Sequence, residues 1–177
     1  KNGNQFINDA IQNGARTIVS DLNFQKKKEN VLFIKNKNVR KLVSEIASKF
    51  YKKTPHNMIA VTGTNGKSSV ANFYFQILNN NGIKAAAIGT LGIKANKINK
   101  PTENTTLDPI TIHKTFTSIK NKKIDNVILE ASSHGLKQHR LDGIKFNTLI
   151  FTNLSRDHLD YHKTYKDYFN SKLILFK

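Results

Sequence analysis

Apolar residues recur along this chain in two rhythms, helical stripes and short unbroken runs. Residues 6–14 carry Phe6, Ile7, Ala10 and Ile11 on one stripe and stop at Gly14, which predicts a helix. Residues 15–20 and 31–34 are β-rich runs separated by a polar loop over 23–30. Residues 39–51 predict a second helix, with Val39, Leu42, Val43, Ile46 and Phe50 at helical spacing. Lys52-Lys53-Thr54-Pro55 breaks it, because proline and the residue before it resist the helical conformation. A domain boundary is expected there, between 1–54 and 55–177.

Beyond the break, strands and helices alternate. Strands are predicted at 58–62, 84–88, 127–129 and 149–151, and a β-hairpin arm at 91–98. Helices are predicted at 70–78, 109–119 and 165–176, and a polar loop at 101–106. Ser132-Ser133-His134-Gly135 reads as neither ordinary strand nor helix. This alternation predicts an α/β fold with a mostly parallel sheet and helices on both faces, preceded by the end of a smaller α/β domain. In such sheets ligands collect beyond the carboxyl ends of the strands.

Composition adds limits. The 177 residues suffice for one domain or parts of two. No apolar stretch approaches the roughly 18 residues that span a bilayer. No signal-peptide pattern opens the chain, and there is no cysteine for disulfides or thiolate metal sites. A cytoplasmic monomer is the expectation. The formal charge of +17 raises a nucleic-acid partner as one reading. Scattered lysines, in runs such as Lys26-Lys27-Lys28, favour a composition bias on solvated faces, so no nucleic-acid or membrane partner is expected. The chain opens without Met and closes inside an apolar helical pattern, so a fragment of a longer protein is expected.

The chemistry concentrates after the strand at 58–62. Gly63, Thr64, Asn65, Gly66, Lys67, Ser68 and Ser69 form a glycine-containing loop between a strand and a helix. Such a loop points backbone N–H groups and the positive end of a helix at phosphates, so a nucleoside triphosphate, ATP, is expected. Lys67 would reach the β and γ phosphates and Ser68 would ligate Mg2+. The general pattern wants glycine where Val61 stands. Glu130, ending an apolar strand, is placed to hold magnesium directly or through water. Histidines and aspartates cluster over 153–162, where His158 is either a metal ligand or a structural histidine. Lys172 has Tyr168 and Phe176 at i−4 and i+4, so it is either a snorkelling surface lysine or a desolvated, reactive one.

Taken together, TGTNGKSS, PTENTT, EASSHGLKQHR, TNLSRDHLDYH and YFNSKLILF resemble the Mur ligases of peptidoglycan synthesis, and among them the MurE type. That family's loop also lacks the early glycine. The resemblance implies an ATP-dependent amide ligase that adds a diamino acid, meso-diaminopimelate or L-lysine, to UDP-MurNAc-L-Ala-D-Glu through an acyl phosphate. It implies that Lys67, Glu130, His158 and Lys172 serve catalysis. Ser68 and Glu130 would serve one magnesium, and His158 and a carbamylated Lys172 a second. Asn104, Thr105, Thr106, Ser132, Gln138 and Arg140 would bind the UDP-MurNAc-dipeptide. It also implies three domains in the whole protein, of which this chain carries the end of the first and the first part of the second, without the amino-acid-binding third. A sister ligase (MurD, MurF or folylpolyglutamate synthetase) is the near alternative, and a basic nucleic-acid-binding ATPase the distant one.

Overall fold

The computed structural model describes residues 3–23 and 30–177. Most of the expected 23–30 loop, with its Lys26-Lys27-Lys28 run, lies outside the described residues. The chain divides into two compact units, Lys1–Val43 and Ser44–Lys177.

In the first unit a 3-10 turn, Gly3–Phe6, leads into helix α1 (Ile7–Gln12), and the chain turns at Gly14 with φ of 92°. That turn needs positive φ, which glycine adopts without a Cβ clash. Strands β1 (Thr17–Ser20) and β2 (Leu32–Lys35) pair in parallel, Thr17 opposite Leu32. Ser20 Oγ donates to Asn4 Oδ1, and Asn4 Nδ2 donates to Asp21, tying the chain start to the end of β1.

Helix α2 (Val39–Phe50) crosses the division between these two units, which falls between Val43 and Ser44. Its second half belongs to the larger unit because small residues make the contacts there. Ser44 Oγ donates to the His139 carbonyl, and Gly143 lies so close to Ser48 that a Cβ would clash. The expected apolar stripe is therefore not the buried face. Ser44 and Ala47 are buried, while Val43, Ile46 and Phe50 are exposed.

The larger unit is built on a six-stranded sheet. Its strands are β3 (Asn57–Thr62), β4 (Ala85–Gly89), β5 (Gly92–Ala95), β6 (Ile98–Lys100), β7 (Asn126–Glu130) and β8 (Thr148–Phe151). The order is β6-β5-β4-β7-β3-β8. β4, β7, β3 and β8 run parallel, and β5 and β6 form the antiparallel hairpin at one edge. The helices are α3 (Lys67–Asn80), α4 (Pro109–Asn121), α5 (Ser133–Lys137), α6 (Leu159–His162) and α7 (Tyr165–Leu173), the last continued by a 3-10 turn.

Alternation along the central strands explains the two layers. Met58, Ala60, Val127 and Leu129 face one side and pack with Ile112, Phe116 and Ile119 of α4. Val61, Ile128 and Ala87 face the other and pack with Ala71 of α3. Period-two side chains on strands buried from both sides require this near-continuous apolar sequence. Among the described residues, no helix is long and apolar enough to cross a membrane.

Two helices depart from expectation. Ser132–Gly135 is not irregular: Ser132 caps α5, its Oγ accepting from Gly135 N–H at 3.1 Å. The helix was hidden because it is short, polar at its start and interrupted by Gly135, which is needed because a Cβ there would strike Thr106. α6 likewise departs from expectation, and His158, whose φ is 51°, stands just before its first residue.

Three histidines give the stability a pH dependence of known sign. His113, His134 and His162 all have pKa values lowered from 6.5, burial being the leading cause in each. Between the lowered folded value and 6.5 the unfolded chain binds more protons, so stability is full above about pH 6.5 and falls as pH drops below it. Thermal melts at pH 7.5 and 5.5 should show a lower midpoint in acid. His113→Phe should shrink that difference, and an unchanged difference would exclude His113 from it.

Candidate functional site

The glycine loop follows β3 directly. Val61 pairs with Glu130 on one side and Ile150 on the other, so it is still inside the strand, and the loop begins only at Gly63. This removes any need for glycine at 61. Gly63 has φ of 144°, and a Cβ on it would collide with the Thr152 hydroxyl. Gly66 has φ of 85° and starts α3.

The loop is sewn to the segment after β8. Thr64 N–H donates to the Asn153 carbonyl at 2.9 Å and Asn65 N–H to Asn153 Oδ1 at 3.0 Å. Thr152 Oγ1 donates to the Asn65 carbonyl at 2.6 Å. Thr64 Oγ1 lies 3.0 Å from the Tyr168 hydroxyl. Two of the loop's N–H groups are thus spent on Asn153 and do not face a ligand. What does face one is the amino end of α3. No side chain caps it, whereas Asp108, Ser132 and Thr164 cap α4, α5 and α7. An uncapped amino end of a 14-residue helix presents N–H groups and a partial positive charge to an anion.

A cavity of about 240 Å³ lies there. Thr64, Asn65, Gly66, Lys67, Ser68 and Ser69 line one wall, and Gly63 does not reach it. Thr90, Thr105, Glu130 and Ser132 line another, and His158, Tyr168 and Lys172 close it. All lie beyond the carboxyl ends of the parallel strands.

Glu130 is 2% exposed, and its hydrogen bonds come from neutral groups. Ser68 Oγ donates to Oε2 at 2.9 Å, Thr90 N–H to Oε1 at 3.0 Å, and Thr90 Oγ1 to Oε2 at 3.2 Å. The carboxylate and the Ser68 hydroxyl are therefore two oxygen donors held side by side, a set that fits a hard cation such as Mg2+. Gly89 makes room for them, since a Cβ there would overlap the Glu130 carboxylate. Gly89→Ala should cost about 1–3 kcal/mol of stability, read from denaturant melts. A neutral result would show that Glu130 is free to shift.

Two lysines converge on one carbonyl. Lys67 Nζ donates to the Gly63 and Thr64 carbonyls at 2.9 and 2.8 Å, and Lys172 Nζ donates to the Gly63 carbonyl at 2.7 Å. Burial lowers the Lys67 pKa, opposed by Glu130 and Asp157. Lys172 is 1% exposed, with its ammonium 4.5 Å from the Tyr168 ring centre. Burial first, then the charge of Lys67, lowers its pKa to about 8. The snorkelling reading of Lys172 is thus overturned: α7 turns this residue inward. As an ammonium Lys172 has no lone pair for a metal, and conversion to an oxygen donor would suit it to a hard cation. Among the described residues, no group of three His, Asp or Glu side chains is gathered to hold a metal ion.

The remaining expected site residues divide. Thr105 and Ser132 line the cavity. Thr106 is 2% exposed, and its hydroxyl bonds the Glu130 carbonyl, Ser132 N–H and Ser132 Oγ, so it braces the wall and does not face the cavity. Arg140 donates to the Thr106 carbonyl and twice to Gln138 Oε1, while Gln138 Nε2 reaches Tyr161 OH at 3.3 Å. Asn104 is exposed in the loop before them. His158 is exposed, its ring 4.9 Å from that of His134.

Residues that pattern reading did not single out complete the site. His162 is fully buried, with Nε2 2.9 Å from Ser133 Oγ and Nδ1 3.3 Å from Ser171 Oγ, which ties α5 to α7. Thr90 and Thr152 hold Glu130 and the loop. A lone threonine at a strand end carries no sequence signal for such a role.

With this geometry in hand, likeness to known proteins is specific. The pattern of the Mur ligase middle domain matches residues 61–177. The UDP-N-acetylmuramoyl-L-alanyl-D-glutamate–2,6-diaminopimelate ligase of Rickettsia bellii is 42% identical over 180 residues, 99% of this chain and 37% of the relative. That of Clostridium tetani is 41% identical, over 99% of this chain and 37% of the relative. A solved structure of a ligase of the same name superposes with a TM-score of 0.84 at 31% identity, over 97% of this chain and 35% of that one. The chain spans a little over a third of the length of the curated relatives it matches.

Proposed function

From the premise that the chain belongs to the Mur ligase family, we propose that it forms part of an ATP-dependent ligase joining a diamino acid to UDP-MurNAc-L-Ala-D-Glu. The observation that carries this reading is one cavity lined by Lys67, Ser68, Glu130, His158 and Lys172 at the uncapped amino end of α3. In this proposal residues 1–54 end the UDP-binding domain and 55–177 begin the central ATP-binding domain. The incoming amino acid is held by a domain outside this chain.

The residues supply definite chemistry. Lys67 leaves the Gly63 and Thr64 carbonyls to meet the β and γ phosphates, and the free N–H groups of α3 cradle them. Ser68 and Glu130 would hold Mg2+, which when bound would neutralise phosphate charge. The D-glutamate carboxylate attacks the γ-phosphorus, ADP leaves, and an acyl phosphate forms. The amine of the diamino acid then attacks the acyl carbon, an amide bond forms, and inorganic phosphate leaves with the amine proton released. Lys67 offsets the charge when two anions meet. Thr105, Ser132 and the Gln138–Arg140 pair bind the nucleotide-sugar dipeptide, together with Asn104, while Thr106 fixes Ser132.

A carbamylated Lys172 and His158 are the residues that would hold a second magnesium. The neutral Lys172 amine attacks CO2, a C–N bond forms and a proton is released, leaving an anionic oxygen donor. A pKa near 8 keeps a sizeable neutral fraction at physiological pH. The enzyme is proposed to work as a cytoplasmic monomer.

The nucleic-acid alternative rests on the +17 charge and separates cleanly. ATP hydrolysis by the full-length protein should rise when UDP-MurNAc-dipeptide and a diamino acid are added together, and should not respond to DNA or RNA at low salt. Stimulation by nucleic acid that salt abolishes, with none by the dipeptide, would overturn the proposal.

A further inference from the structure

A second cavity, of about 400 Å³, lies at the opposite end of β3 from the glycine loop, beside Met58 and Asn147. Its walls come from the end of α2, the following residues 51–56, α4 and the segment 143–147 that leads into β8. No side chain of the ligase site lines it.

One wall residue is chemically anomalous. His113 on α4 is 1% exposed, and neither ring nitrogen has a hydrogen-bond partner. Buried polar side chains are nearly always paired, and an unpaired one costs about 1–3 kcal/mol. The neighbours of His113 are rings: Tyr51 lies parallel to it with centres 6.5 Å apart, and Phe116 stands edge-on at 5.6 Å. Phe146 adds another ring to the cavity. The charged side chains at its rim are Lys52 and Lys145, both exposed, and none of the lining residues is Asp or Glu. The segment around Lys52 is tethered to α4, since Lys53 Nζ donates to Asn121 Oδ1 at 3.0 Å. A cavity of this size with aromatic walls, a few polar groups and one sign of charge is the usual form of a small-molecule site.

We propose that this cavity binds a small aromatic carboxylate. Its ring packs among Tyr51, Phe116 and Phe146, its carboxylate meets Lys52 and Lys145, and a polar atom of the ligand pairs with a His113 ring nitrogen. Because His113 is covered, Tyr51 turns aside on binding. It is half-buried just past the end of α2, where its N–H still bonds the Ala47 carbonyl at 3.0 Å, so only the side chain has to turn. This site is independent of the ligase reading.

The test is titration of the protein with indole-3-acetate and benzoate, followed by calorimetry and by the 15N resonances of the His113 ring. Neutral indole serves as the control. Saturable binding is expected, with the His113 nitrogens shifting and indole bound at least about tenfold more weakly, since a fixed charge contact is lost. His113→Phe, which keeps a ring but removes both nitrogens, and Lys145→Glu, at an exposed position, should each weaken indole-3-acetate about tenfold. ATP affinity should not change in either. Absence of saturable binding by both carboxylates overturns the proposal, as does equal binding by His113→Phe.

Discussion

Lys67→Ala should weaken ATP binding by about a hundredfold or more, because a partly buried cation facing phosphate is lost. The side chain sits beside the Gly63 and Thr64 carbonyls and within the field of Glu130 and Lys172. Its removal leaves the α3 amino end as the main attraction for the triphosphate, and a helix terminus alone is worth only about 0.3–1 kcal/mol. Calorimetric titration with ATP and magnesium measures the loss. The melting midpoint should change little, since Lys67 bonds only backbone carbonyls of its own loop. Retained ATP affinity would contradict the assignment of the loop.

The second large effect is expected at Lys172. In the full-length protein, Lys172→Ala should lower kcat on the order of a hundredfold to a thousandfold, the scale for losing one group that stabilises transition-state charge. Short carboxylic acids such as acetate should restore part of the activity by entering the space left behind. Rescue is the discriminating readout, because a merely structural lysine would give none. The location makes the expectation reasonable. The amine is desolvated, 2.7 Å from the Gly63 carbonyl, and next to a second cation. Removing it should not lower the melting midpoint by much, since a buried ammonium is itself costly. Full activity without added acid would show that Lys172 contributes packing only.

Some of this was legible in the residue order, and the reasons are physical. β3 and β7 are buried on both faces, so they read as apolar runs ending in chemistry, at Gly63 and Glu130. The loop declares itself because Gly63 and Gly66 need positive φ and Lys67 follows at once. Lys172 was undecidable, because a lysine flanked by aromatics at i−4 and i+4 has the same pattern whether the helix faces inward or outward. α2 misled for the opposite reason. Its large apolar residues sit on the exposed side, while Ser44 and Ala47 make the close approach. α5 was hidden by its polarity, and nothing set His162 apart from the other residues of the 153–162 cluster; its two serine partners stand 29 and 9 residues away. Residue order also gives no sign that the Thr106 hydroxyl bonds the Glu130 carbonyl and Ser132. Patterns of residue type report which element forms, and tertiary contacts alone decide which face turns inward.

The full-length protein can be given ATP, magnesium, UDP-MurNAc-L-Ala-D-Glu and an equimolar mixture of meso-diaminopimelate, L-lysine and L-glutamate, and the nucleotide-linked product weighed by mass spectrometry. The expected product is heavier by one diamino acid residue, formed with one ADP for each amide bond. A product carrying glutamate, or ATP turnover with no change in the mass of the dipeptide, would contradict the proposed function.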